Sequence, residues 1–326
     1  MAATDKQKHW IGFDLGGTKM LAAVLDADFH LVSRQRKKTK GHEGSETGLE
    51  RIAQTIQKAL SDAELDEKQL GGIGVGCAGP LDLDKGIIHD APNLGWQDVP
   101  VKEHLENVFH CPVQVVNDVD AGVFGEYCFG AAKDSRSVLG VFPGTGIGGG
   151  YVHEGKIIRG KNQSCMEIGH IPIMPGGPRC GCGQNGCLEA VASRLAISAA
   201  ACQAAYRGQA PNLMKAVGTN LSNLRSGVLA DSVKAGDNVV EKIIRTAASQ
   251  IGVAVATVVH LMSPDMVVLG GGLVEAMPHL FVKPVAEAAN KRVLPSFVDT
   301  FQVVEATLGD DAVIMGSAAW AQKSFS

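Results

Sequence analysis

The chain has 326 residues, 45% hydrophobic and 20% charged, enough for one large or two ordinary domains with a buried core. A formal net charge of -4 removes the electrostatic case for nucleic acid as the main partner. The polar first nine residues carry no signal-peptide core and no run approaches a membrane span. Eight cysteines without a secretion signal then point to a reducing, cytoplasmic compartment.

Residues 10–15 read as a buried strand, Gly16-Gly17-Thr18-Lys19 as a turn, and residues 20–25 and 29–36 as further strands. Rossmann and Walker loops need a helix after their glycines, so this turn is neither. Its glycines still expose backbone N–H groups that can converge on an anion, and Thr18 adds a hydroxyl. Asp14, at the strand end, is placed to hold Mg²⁺ through water. An ordinary Gly-Gly hairpin explains the same residues equally well. Residues 48–65 place Leu49, Ile52, Ala53, Ile56 and Leu60 on one helical face. A glycine-rich strand over 71–77 ends at Ala78-Gly79-Pro80, where small residues let a ligand approach. Residues 90–96 read as a loop holding Asn93 and Trp96, an amide and an indole that can contact a sugar or serve structure. A short helix follows over 101–109.

A strand over 112–116 runs to Asn117-Asp118, and a helix covers 119–129. The carboxyl end of a strand is where α/β proteins place catalytic groups, although Asp118 also suits an N-cap. A strand over 137–142 leads into Gly144-Thr145-Gly146-Ile147-Gly148-Gly149-Gly150, a second phosphate-type turn, with a strand from Tyr151. Two such turns, about 130 residues apart, suggest an internal duplication with one nucleotide clamped between the halves.

His170, Cys180, Cys182 and Cys187 supply the donors of a structural zinc site, and the glycines among them allow tight turns. A Cys-X-Cys disulfide would be strained. Glu167 and Glu189 flank the cluster without being needed as ligands, and read as carboxylates left to accept hydrogen bonds from a polyol. Cys77, Cys111, Cys128, Cys165 and Cys202 read as buried thiols. Helices follow over 191–206, 223–234 and 239–262, the last apolar nearly all round and therefore central. A strand over 265–269 runs into Gly270-Gly271-Gly272, able to approach a flat group such as adenine or to serve as a plain strand-to-helix turn. A helix over 278–292, a strand over 301–305 and a helix over 310–322 complete the chain.

In this order and spacing the motifs at residues 14–19, 117–118, 144–149 and 167–189 resemble the ROK family of sugar kinases and repressors. The resemblance runs from about Trp10 to the last helix. It implies an α/β chain of the actin-like (hexokinase-type) ATPase fold, two related α/β domains with an interdomain cleft. One domain would span 1–120, joined by the C-terminal helix at about 310–326. The other would span 121–309 and carry the zinc loop. Asp118 is implied as the base for the sugar's primary hydroxyl, with Gly79, Asn93, Asn117, Glu167, His170 and Glu189 on the sugar. His170 would serve zinc with one ring nitrogen and the sugar with the other. Asp14, Gly16, Gly17, Thr18, Lys19, Gly144, Thr145 and Gly146 would hold the phosphates, and Gly270, Gly271 and Gly272 the nucleoside.

The implied activity is ATP-dependent phosphorylation of a hexose 6-hydroxyl, glucose first, with N-acetylmannosamine, fructose, mannose and allose as alternatives. Structural Zn²⁺ and ATP-borne Mg²⁺ are the implied cofactors, a homodimer or homotetramer the implied assembly, with no nucleic-acid or membrane partner. Val116 stands where many family kinases have Glu, and Met166 where many have Gly; both bear on the choice of sugar. A repressor of the family would carry a DNA-binding domain ahead of the first turn, where nine residues precede Trp10 here. A sugar sensor without catalysis would lack the base that Asp118 supplies.

Overall fold

The computed structural model describes residues 8–91, 94–161 and 165–325. In chain order these form β1 (His9–Leu15), β2 (Lys19–Leu25), β3 (Leu31–Lys38), α1 (Ser45–Asp62), β4 (Leu70–Cys77), β5 (Leu81–Asp82), β6 (Ile87–Ala91), β7 (Trp96–Pro100), α2 (Val101–Phe109), β8 (Val113–Asn117) and α3 (Asp118–Phe129). Then come β9 (Ser137–Pro143), β10 (Ile147–His153), β11 (Lys156–Ile157), α4 (Leu188–Ala192), α5 (Arg194–Tyr206), α6 (Pro211–Val217), α7 (Ser226–Lys234) and α8 (Asn238–Met262). The chain closes with β12 (Met266–Leu269), α9 (Gly272–Ala276), α10 (Pro278–Asn290), β13 (Gln302–Glu305) and α11 (Ala312–Phe325).

These elements divide into two units. The first comprises Met1–Asp134, Gly155–Cys165 and Asp310–Ser326; the second comprises Ser135–Glu154 and Met166–Gly309. The boundary expected near residue 120 therefore falls at Asp134, and a second short segment also belongs to the first unit. The reason lies in α3, which packs along α11 and so cannot leave the first unit.

In the first unit five strands lie in the order β3-β2-β1-β4-β8, with β1, β4 and β8 parallel. Strands covered on both faces read as nearly continuous apolar runs. Ile11, Phe13, Ile73, Val75, Val113 and Val115 are accordingly all sealed from solvent. They share a core with α1, whose predicted stripe of Leu49, Ile52, Ala53, Ile56 and Leu60 is buried in full, and with Leu105 and Phe109 of α2. The alternate residues of β1 and β4 face α11, which rests directly on their backbone. A Cβ at Gly12 would stand 1.9 Å from the Ile314 carbonyl oxygen, and one at Gly74 1.9 Å from that of Ser317. Any side chain there would lift α11 off the sheet.

The loop read over 90–96 joins two strands of a small sheet, β5-β6-β7, whose strands are too short to show a period in sequence. Trp96 is 1% exposed and lies against Gly48 of α1, so the indole is a core group and cannot contact a sugar. Asn93 lies outside the described residues.

In the second unit β10-β9-β12-β13 run side by side, β10 antiparallel to β9 and the other three parallel. This repeats the order and sense of β2-β1-β4-β8, so the duplication suggested by the two glycine turns is a duplication of topology. The strand after the second turn starts at Ile147 and not at Tyr151, because Gly148, Gly149 and Gly150 are strand residues.

Helix α8 is long and apolar enough to cross a membrane by length and composition, contrary to the expectation that no segment would be. Its apolar character has a local cause: 56% of the window is buried, with α10 and α5 packed against it. The five remaining thiols are less uniform than expected. Cys77 is buried, Cys111, Cys128 and Cys202 are partly exposed, and Cys165 is exposed.

Candidate active site

The register of the first sheet sets Asp14, Gly76 and Val116 abreast at the carboxyl ends of three parallel strands. Asp118 follows at the first residue of α3. The helix is capped by Asn117, whose Oδ1 accepts from the Val119 and Asp120 amides at 2.9 and 3.1 Å. Capping thus falls on the neighbour of Asp118, leaving the Asn117 amide nitrogen, a donor only, as the group able to meet a hydroxyl. The Asp118 Oδ1 lies 3.0 Å from the Val119 amide, within the positive first turn of the helix. Burial, then the charge of Asp118, pushes Asp14 up to about 7, with Lys19 and Arg36 pulling the other way. A carboxyl group raised by burial and by a neighbouring carboxylate suits a cation beside it.

The turn after Asp14 is closed by the Gly16 amide donating to the Lys19 carbonyl at 3.1 Å. Buried Thr39, just past β3, ties it down, its amide donating to the Thr18 carbonyl at 3.0 Å and its hydroxyl to the Gly16 carbonyl at 2.6 Å. Lys19 points to the start of α11, where its Nζ is 3.2 Å from both carboxylate oxygens of Asp310, an acceptor shared with Arg36 at 2.5 Å. Gly79 has φ +110, and a Cβ there would meet the Asp90 carbonyl oxygen at 2.4 Å. Backbone strain and crowding alone demand glycine at that position.

In the second unit residues 144–146 form the turn between β9 and β10, closed by the Gly144 amide on the Gly146 carbonyl at 2.8 Å. Glu189, at the start of α4, is not left wholly for a polyol. Its Oε2 accepts from the Ile147 amide at 3.0 Å, next to Gly146, where a Cβ would meet that oxygen at 2.3 Å. Glu167 and His170 flank a single turn of 3-10 helix, Ile168–His170, and both are exposed. The third glycine run is a strand-to-helix turn between β12 and α9, with Gly271 at φ +81 and Gly270 against the Phe142 ring.

The ligand atoms of His170, Cys180, Cys182 and Cys187 all lie within 4.8 Å of one another. Cys182 and Cys187 sulfurs are 3.7 Å apart, and His170 Nδ1 is 3.6 Å from the Cys180 sulfur. Metal–sulfur bonds of about 2.3 Å in a tetrahedron require S···S edges of about 3.8 Å, so the donors fit zinc. The thiols themselves differ in acidity. A hydrogen bond from the Gln184 backbone holds Cys182 below the usual thiol range, while burial pushes Cys187 up to about 12. A divalent cation would hold all of them as thiolates.

Two further polar residues, Glu126 and Arg194, were singled out by no sequence motif. Glu126 is buried in α3 and caps the turn after it through the Ala131 amide at 2.8 Å. Arg194 bonds the second glycine turn, and a lone Arg at the start of a helix carries no sequence signal for that.

Residues 10–324 match the ROK family. A glucokinase of Thermotoga maritima is 34% identical over 310 residues, covering 95% of this chain and 96% of that one. The crystal structure of a ROK hexokinase from Thermus thermophilus superposes with a TM-score of 0.82 at 34% identity, over 97% of this chain and 98% of that one. A ROK family glucokinase from Streptomyces griseus, crystallised with glucose and AMPPNP, gives 0.82 at 30% identity, over 97% and 99%. The duplicated sheet is thus that of the actin-like ATPase fold, and the chain belongs to the ROK family.

Proposed function

We propose that the protein is an ATP-dependent hexokinase that transfers a phosphoryl group to the 6-hydroxyl of glucose, with Asp118 as general base. The carrying observation is the placement of Asp118 just past the carboxyl end of β8, with the duty of helix cap falling on Asn117. A carboxylate there can take the proton of a sugar hydroxyl as the new P–O bond forms. In the first unit Asn117 donates to the sugar and Gly79 lets it approach. Asn93 belongs with them by its place in sequence. In the second unit Glu167 and Glu189 accept from ring hydroxyls, Glu189 with the lone pairs that the Ile147 amide leaves open. His170 turns Nδ1 to the cluster and Nε2 to the sugar.

Phosphoryl transfer demands positioning and charge neutralisation more than covalent work. Gly16, Gly17 and Thr18, with Lys19 beside them, line one phosphate turn, and Gly144, Thr145 and Gly146 the other. Gly270, Gly271 and Gly272 serve the nucleoside. Asp14 would hold Mg²⁺, which offsets charge on the phosphate oxygens. His170, Cys180, Cys182 and Cys187 would hold Zn²⁺, which has no open position and so supplies structure alone. The protein works in the cytoplasm as a homodimer or homotetramer; exposed Leu195, Tyr206 and Met214 offer apolar surface for assembly.

An ADP-release assay with ATP, Mg²⁺ and a panel of hexoses and N-acetylhexosamines tests this. Glucose is expected to give the highest kcat/KM. Activity confined to another sugar would keep the reaction and move the specificity. No ADP with any sugar, from folded and zinc-loaded protein, would overturn the enzyme reading in favour of a sugar sensor.

A further inference from the structure

Arg194 opens α5 directly behind the second glycine turn and makes three bonds that together describe a bracket. Its backbone amide donates to the Gly144 carbonyl at 2.9 Å. Its Nη2 donates to the Thr145 hydroxyl oxygen at 2.6 Å, and its Nη1 to the Leu224 carbonyl at 3.2 Å. The Leu224 carbonyl is held a second time, by the Ser198 hydroxyl at 3.3 Å. Two residues on, Ser226 lies against the third glycine turn, where a Cβ at Gly272 would stand 3.5 Å from its hydroxyl oxygen. One guanidinium therefore links residues 144–146 to the segment that abuts residues 270–272.

We propose that Arg194 is a positioning residue for the nucleotide, orienting the Thr145 hydroxyl toward a phosphate and tying the phosphate turn to the nucleoside turn. The proposal rests on the reading of residues 144–146 as a phosphate turn. A threonine hydroxyl carries one proton and accepts through its lone pairs. With a guanidinium N–H on its oxygen, the Thr145 proton is turned away from Arg194, into the open side of an exposed turn. A cationic donor also polarises the O–H bond, so the hydroxyl becomes a stronger donor to an anionic oxygen. The group is then set before the phosphate arrives, which is the condition under which a dipole stabilises charge without reorganising. Lysine could not replace Arg194. Two acceptors in different segments require the planar fork, and an ammonium offers a point charge in its place. The predicted signature is specific: Arg194 acts on the phosphate donor and not on the sugar.

The test is steady-state kinetics on Arg194→Met, Arg194→Lys, Thr145→Val and the Arg194→Met/Thr145→Val double variant, with ATP and sugar varied in turn and melting temperature recorded. Each single substitution is expected to raise KM for ATP about tenfold, the loss of one charge-assisted hydrogen bond. KM for the sugar should be unchanged. The double variant should be no worse than the poorer single one, because both remove the same interaction. If Thr145→Val raises KM for ATP and both Arg194 variants do not, the phosphate turn stands and the role of Arg194 falls. If no variant moves KM for ATP, the reading of residues 144–146 falls and takes the proposal with it. Equal rises in KM for ATP and sugar, with a lower melting temperature, would make Arg194 a scaffold residue and overturn the proposal. Should Arg194→Met fail to fold, Arg194→Lys, which keeps the backbone bond and the charge, decides the matter alone.

Discussion

The Ile147 amide donates to Glu189 Oε2 at 3.0 Å, while Glu189 Oε1 lies 3.8 Å from the Cys180 sulfur. The carboxylate that follows the last cysteine of the cluster thereby also fixes the first residue of the strand leaving the second glycine turn. Sequence proximity placed Glu189 beside the His/Cys cluster, and the fold adds a second attachment 42 residues away. On the proposed reading, sugar-side and phosphate-side groups of the second unit share this one side chain.

Glu189→Gln should therefore raise both Michaelis constants, for sugar and for ATP, because a neutral amide accepts more weakly than a carboxylate. Replacing a charged acceptor costs about 1–2 kcal/mol, or roughly five- to thirtyfold in kcat/KM. A rise confined to the sugar would show that the bond to Ile147 has no kinetic consequence.

Asp118→Asn keeps the size of the side chain and removes the proton acceptor. Turnover should fall by about 10²–10⁴-fold, with sugar affinity measured by calorimetry nearly unchanged. Full turnover in this variant would remove Asp118 from the role of base.

Cys180→Ser should lower zinc content and melting temperature together, since binding of the ion and folding of the loop over residues 170–187 are one equilibrium. The same paired loss is expected on treating the native protein with a strong chelator. Normal metal content in the variant would break the cluster assignment.

Asp14 predicts a pH dependence of stability whose sign follows from its position. Its folded value of about 7 lies above the ordinary 3.8, so between those limits the folded chain holds a proton that the unfolded chain has lost. The folded state binds more protons, and stability falls as pH rises through that window. Asp14→Asn should remove this slope, and urea titrations at pH 5 and pH 8 would show it. The variant should gain on the native protein at the higher pH; equal slopes would mean that Asp14 ionises as freely in the fold as outside it.

Much of the architecture was legible because it is written at short range. The stripe of Leu49, Ile52, Ala53, Ile56 and Leu60 has helical period and is the buried face of α1. The strand before Asp118, the helix after it and the strand over 137–142 follow from apolar runs broken by glycine or polar pairs. The His/Cys cluster was legible too, since its ligands come from a short span whose turns are set by its own glycines. Neighbours in sequence were enough to specify each of these.

Tertiary structure decided what depends on residues distant in the chain. Residues 155–165 belong to the first unit, and no local pattern could have said so. Trp96, which in a loop could contact a sugar or serve structure, became a core residue because Gly48 of α1 leaves space for its ring. Whether Asn117 or Asp118 caps α3 was settled by backbone geometry at one peptide unit. The bonds of Arg194 to Thr145 and of Glu189 to Ile147 join segments more than forty residues apart. Sequence by itself determined which chemical groups the protein carries and which local elements present them, because backbone preference and hydrophobic period act between neighbours. Only the packed fold decided which of those groups share a hydrogen bond, because that requires long-range burial to bring the backbone of one segment against the side chain of another.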